Sequence, residues 1–178
     1  MALRELIKDA HDSAENHPFV KKLFAGKITK EEYGDFLFNQ KHCYAALEQT
    51  AEALGLLDDI GPIKRTAKIA QDLRDLNRDK SRQHLHMSTM AYCEYVRKCS
   101  KEQLLAHIYV RHFGDMYGGQ MLKKLVPGSG SMYDFHNRSE LIAIVREKLT
   151  DELADEAKIV FAFATQLFDE LADEYNIQ

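Results

Sequence analysis

Along this chain the apolar positions recur at intervals of three and four and almost never at two. In residues 3–17, LRELIKDAHDSAENH, Leu3, Leu6, Ile7, Ala10 and Ala14 fall on one stripe, the spacing of a half-buried helix. Thr29 with Glu32 writes a capping box ahead of residues 31–54, and Ser100 with Gln103 repeats it ahead of residues 101–125. Pro62 suits the first turn of a helix over 61–79, residues 86–99 continue in helical character, and 139–149 and 151–175 close the chain as two more helices. VPGSGS, at 126–131, is the one plain loop. With proline at 3 of 178 positions and no alternating strand pattern, the class is all-α, a single compact domain over 1–178 with short connections between neighbouring helices.

Composition narrows the function classes. Hydrophobic residues make up 45% of the chain and charged residues 29%, enough to build and to cover one core. The net charge of -4, from 24 basic against 28 acidic side chains, gives no general attraction to nucleic acid or to an anionic membrane. Residues 2–12 are too charged for a secretory signal and the apolar run at 159–168 is too short to span a bilayer, so the expected location is the cytoplasm. Cys43, Cys93 and Cys99 are odd in number and lack a CxxC spacing, which predicts reduced thiols rather than disulfides or a zinc site.

Candidate chemistry gathers in two places. Within 100–125 the segment GDMYGGQ carries Gly114, Gly118 and Gly119, and each glycine inside a helix costs about 1 kcal/mol relative to alanine. Gly114 and Gly118 share a face and Gly119 widens it, so a flat ligand could lie on bare backbone; close helix packing or a simple kink would use the same residues. Arg111 and Asp115 are one turn apart, the spacing of an exposed salt bridge, or of a carboxylate that holds ordered water over a ligand, with Tyr109 in the same stretch. On the first helix, His11 lies at the edge of the apolar stripe with Glu15 four residues on, a spacing that lets a carboxylate hold the second nitrogen of a metal-bound imidazole. Arg4 and Lys8 give that face positive charge, suited to ligand carboxylates or simply to solvent.

LRELIKDAHDSAEN, then YAALE, then YVRHFGDMYGGQMLKK and finally QLFDEL together resemble the haem oxygenase family, over nearly the whole chain and in the family's order. The resemblance implies that haem is both substrate and cofactor, sandwiched between a proximal first helix and a kinked, glycine-bearing distal helix. It makes His11 the proximal ligand of the haem iron, Glu15 its partner, and Arg4, Lys8 and Arg146 the cations for the propionates. Gly114, Gly118 and Gly119 would lie over the porphyrin, Asp115 with Tyr44 and Arg111 would organise distal water, and Tyr109 and Phe161 would line the pocket. The implied reaction is oxygen- and electron-dependent cleavage of haem at the alpha-meso carbon, to biliverdin, carbon monoxide and ferrous iron. Electrons would come from a ferredoxin or a flavoprotein reductase, since the chain has no flavin or nicotinamide motif. A downstream bilin reductase is an expected partner, and a monomer the expected state. Tyr117 stands where the family motif usually has Ser, Ala164 where many members have Asn, and Ile142 where a propionate-binding Lys is often found. A haem-binding carrier or sensor on the same fold is the rival expectation, and a helical interaction module with no haem is a third.

Overall fold

In a computed structural model, residues 2–76 and 83–178 are described, and among them there is no strand. Ten α-helices follow in chain order: α1 Ala2–Leu6, α2 Lys8–Glu15, α3 Pro18–Phe24, α4 Lys30–Ala53, α5 Thr66–Leu76, α6 Met87–Arg97, α7 Lys101–Ile108, α8 Gly114–Leu122, α9 Arg138–Lys148 and α10 Ala154–Tyr175. Both predicted capping boxes form, at Thr29 with Glu32 and at Ser100 with Gln103.

Four departures from the expected elements have physical causes. The first helix is bent at Ile7, whose φ of -100° and ψ of 1° depart from helical values. The backbone ladder still runs on both sides of it, from Ile7 N–H to Leu3 and from His11 N–H to Ile7, so this is a bend rather than a stop. A separate helix, α3, follows because Pro18 sits in its first turn and the His17 ring accepts the Phe19 N–H at 3.1 Å. Pro62 nucleates only the three-residue 3-10 turn Gly61–Ile63, and α5 starts beyond it at Thr66; the last three residues predicted for that helix, 77–79, lie outside the described residues. Finally, the glycine-bearing run is not one α-helix, because Tyr109–Phe113 winds as a π-helix between α7 and α8. The irregularity therefore precedes the glycines instead of falling on them. One π turn accommodates an extra residue and rotates everything after it relative to what came before.

The core runs the length of the long helices. Leu47, Ile60, Ile63, Val96, Leu104, Ile108, Val145 and Ala157 are fully buried in one cluster, and Phe19, Leu37, Ile69 and Leu171 anchor a second. Against this core α10 packs on α2, on α7 and on the π segment. The helix that carries His11 and the π segment that leads into α8 are thus both walls against α10. No helix among the described residues is long and apolar enough to cross a membrane.

Candidate functional site

On the α2 wall, His11 is exposed over 55% of its side chain and stands edge-on to Phe161 of α10, with ring centroids 5.9 Å apart. Its Nδ1 is turned toward Asp12, at 3.3 Å, and Glu15, at 3.8 Å. The carboxylates of the helix's own next turn thus occupy one edge of the imidazole, and Nε2 is the nitrogen left to meet a ligand. Glu15 was the expected partner; Asp12 lies closer and was missed, since an adjacent residue on a helix does not ordinarily face its neighbour. Lys8 bonds Asp12 at 2.5 Å, which raises the ammonium's pKa and lowers that of the carboxylate.

The opposite wall is built by the π segment and α8. Tyr109, Phe113 and Tyr117 recur every four residues and stack as an aromatic ladder, with centroids 5.5 Å and 4.9 Å apart. Burial raises the Tyr109 pKa and the charges of Arg4 and Arg146 oppose that rise, which brings two of the three predicted cations to one phenol. Arg146 also donates to the Tyr117 hydroxyl and lies 5.8 Å from the Phe113 ring centre. The Tyr117 departure is therefore coupled to a cation and not idle at the surface. Arg138 is committed to the Met116 carbonyl at 2.9 Å, and Ile142 is buried in the core.

The glycines divide. A Cβ built on Gly114 meets nothing within 4 Å, so its backbone faces open space; one built on Gly118 just reaches Phe24 at 4.0 Å. On Gly119 it would meet the Tyr133 ring at 2.3 Å. Gly119 thus does not widen an open strip: its bare face is filled by Tyr133, and its requirement for glycine is one of packing.

Behind the wall lies a buried polar chain whose members pair across long sequence distances. Gln40, Tyr44 and Glu48 lie four apart on α4, each meeting a residue of the distal segment. Arg111 donates to Gln40 at 3.1 Å, the Tyr44 hydroxyl donates to Asp115, and His112 Nε2 meets Glu48 at 2.8 Å. The Tyr44 and His112 rings are edge-on at 4.7 Å, which brings the Tyr44–Asp115 and His112–Glu48 pairs into one chain. Of the two readings of the Arg111–Asp115 spacing, the salt bridge does not form, and the π turn sends the side chains to different partners: Arg111 lies over the Tyr92 ring at 4.1 Å while Asp115 meets Tyr44. Burial raises the Asp115 pKa, against the Tyr44 hydrogen bond and the nearby charges of His112, Arg111 and Arg65. Tyr44 is pushed well above its usual range by burial and by the Asp115 charge.

Glu48 closes the chain. It accepts from the Arg65 backbone N–H at 2.5 Å and from the Thr66 N–H and hydroxyl at 3.1 and 2.6 Å. The Arg65 guanidinium is spent on the carbonyls of Pro62, Ile63, Lys64, Met132 and Asp134. Glu48, His112 and Gln40 are site neighbours that motif spacing missed. The signal was available in the i, i+4, i+8 polar stripe inside an otherwise buried helix, flanked by Cys43, Leu47 and Ala51.

Comparison with known proteins gives a consistent picture. Residues 1–170 match the family model described as "Heme oxygenase". A Guillardia theta heme oxygenase is 31% identical over 97% of this chain and 86% of its own length. Heme oxygenase 1 of Synechocystis is 29% identical over 95% of this chain and 82% of its own. The crystal structure of cyanobacterial heme oxygenase-1 in complex with heme is similar at a TM-score of 0.83 and 25% identity, covering 97% of this chain and 91% of that one.

Proposed function

Since the chain belongs to the haem oxygenase family, we propose that it is an oxygen-dependent haem-degrading enzyme whose own residues His11, Gly114 and Asp115 bind and steer its substrate. The observation that carries this is that α10 packs both on α2, which bears an exposed imidazole backed by carboxylates, and on the π segment, which leads directly into the bare backbone of Gly114. These donors fit haem. A neutral imidazole is an ordinary iron ligand, a carboxylate on its far nitrogen fixes its orientation, and a planar macrocycle needs a wall without side chains.

When bound, haem supplies both the iron that takes up oxygen and the ring that is cleaved, with biliverdin, carbon monoxide and ferrous iron as products. The protein's part is positional. His11 binds through Nε2 while Asp12 and Glu15 hold Nδ1. Arg4 and Arg146, which converge on Tyr109, are placed to meet propionate carboxylates, with Lys8 nearby on α2. Phe161 and Tyr109 pack as apolar walls. Gly114, followed by Gly118, would keep the distal wall free of side chains, so that a planar ring could lie close to the backbone. Asp115, held by Tyr44, organises protons: its raised pKa suits a group that passes a proton through water. Arg111 Nε and His112 Nδ1 are buried without a protein partner, which makes them the natural anchors for such water. Electrons come from a separate ferredoxin or flavoprotein reductase.

The test mixes the purified chain with one equivalent of hemin, adds a ferredoxin reducing system in air, and follows the visible spectrum with product extraction. The Soret band should decay as biliverdin appears and carbon monoxide is trapped by added myoglobin; His11→Ala should weaken the initial Soret band. A Soret band that stays intact with two different electron donors would make the chain a carrier or sensor.

A further inference from the structure

Far from this site, at the other end of α10, we propose that His84, His86 and Glu174 form a binding site for a divalent transition-metal cation of the zinc class. One ring nitrogen from each histidine and one carboxylate oxygen all lie within 4.8 Å of one another. The rings of His84 and His86 have centroids 4.5 Å apart. Glu174 Oε2 is 3.2 Å from His86 Nε2 and 3.9 Å from His84 Nε2. Two imidazoles and one carboxylate are a donor set that zinc accepts, with water completing a tetrahedron. Donors around such an ion stand about 3.4 Å apart, so small side-chain rotations close the set.

The decisive observation is His86. Its side chain is nine-tenths buried, yet Nε2 makes no hydrogen bond. The Glu174 oxygen lies 3.2 Å away without forming a hydrogen bond to it. A buried ring nitrogen left without a hydrogen bond is unfavourable, and a metal bond would satisfy it.

The protein also holds the three residues in place from behind. Asn39, fully buried on α4, accepts the His86 backbone N–H at 3.0 Å and donates to the His84 carbonyl at 3.3 Å. This clamp keeps the His-Leu-His stretch extended, where residues two apart project to the same side. One turn before Glu174, Glu170 accepts from the Ser88 N–H and hydroxyl, fixing α10 against the start of α6. Glu174 lies thirteen residues beyond Phe161, about 20 Å along the helix, so the site is separate from the haem walls and independent of the function proposed for them.

The experiment titrates the full chain with Co2+ as the probe and reads its visible ligand-field bands, then adds Zn2+ in competition. One equivalent of Co2+ should bind with the band intensity of a four-coordinate site, and Zn2+ should remove it. His84→Ala and Glu174→Gln alter partly exposed side chains, so the metal-free unfolding midpoint should hold, while Co2+ affinity falls by at least about tenfold in each. Absence of Co2+ bands, or parental affinity in both variants, would overturn the proposal; the latter would move the ion to another cluster, such as His11, Asp12 and Glu15.

Discussion

Glu48 and Asp115 sit on the same buried polar chain, on either side of the Tyr44–His112 ring pair, and burial acts on both in the same direction. At Glu48, hydrogen bonds from His112, Thr66 and the Arg65 backbone outweigh it, and the pKa falls below the ordinary 4.5. At Asp115 one hydrogen bond from Tyr44 does not, and the pKa rises. The number of donors decides the sign. A carboxylate saturated with donors is a brace between α4, the start of α5 and the π segment. One given a single neutral donor is left able to take or release a proton, which is what a site for oxygen chemistry needs.

Removing the brace should give the largest effect. Glu48→Ala leaves His112 Nε2 and the Thr66 and Arg65 donors buried without their acceptor, and should lower unfolding stability by about 3–5 kcal/mol, read from urea titration. The parent chain carries the matching pH signature. A depressed carboxylate pKa contributes stability that is fully present above its unfolded value and is lost as pH falls through the folded one. Stability should therefore decline below about pH 4.5, and the Glu48→Ala variant should lack that part of the slope. An unaltered slope would mean that the acid limb belongs to other carboxylates.

The glycines sharpen the comparison because two of them should respond with opposite signs. Gly119→Ala drives a Cβ into the Tyr133 ring, and overpacking of this kind costs about 1–3 kcal/mol. Gly114→Ala enters open space at a helical φ of -59°, so the fold should gain about 0.5–1 kcal/mol while hemin binding weakens. Thermal melts and hemin titrations on the two variants separate a packing glycine from a ligand-facing one. If Gly114→Ala left both hemin affinity and turnover intact, the flat distal wall would lose its role.

How much of this was legible in the sequence depends on how far apart the partners are. The caps at Thr29 and Ser100, and His11 with Glu15, are pairs three or four residues apart, and the helical period displays them directly. The identities of Asp115, Tyr44 and Arg111 were readable from the family motif, but not who pairs with whom. A π turn inserts one residue into the count, and no local periodicity announces it, so the four-residue spacing of Arg111 and Asp115 left a salt bridge open that does not form. The Glu48–His112 contact joins residues 64 apart, and Gly119 answers to Tyr133 from another segment. These are decided by packing. The same holds for His84, His86 and Glu174, which chain order separates by almost ninety residues.

Asp115→Asn should have the smallest effect on the fold and the clearest effect on chemistry. Asparagine keeps an oxygen to accept the Tyr44 hydroxyl and removes the charge that burial disfavours. For a carboxylate whose pKa is raised on folding, ionisation costs stability as pH climbs past the ordinary 3.8. The variant should thus be at least as stable as the parent at neutral pH. Hemin affinity should be unchanged, because His11 and the proposed propionate partners Arg4, Lys8 and Arg146 are intact, yet biliverdin formation should fall at least about tenfold if proton delivery is lost. That pattern would separate the functional carboxylate from the brace on the far side of the Tyr44–His112 ring contact. Normal turnover in a variant that cannot ionise at this position would remove Asp115 from the proton path and leave its hydrogen bond with Tyr44 a purely structural one.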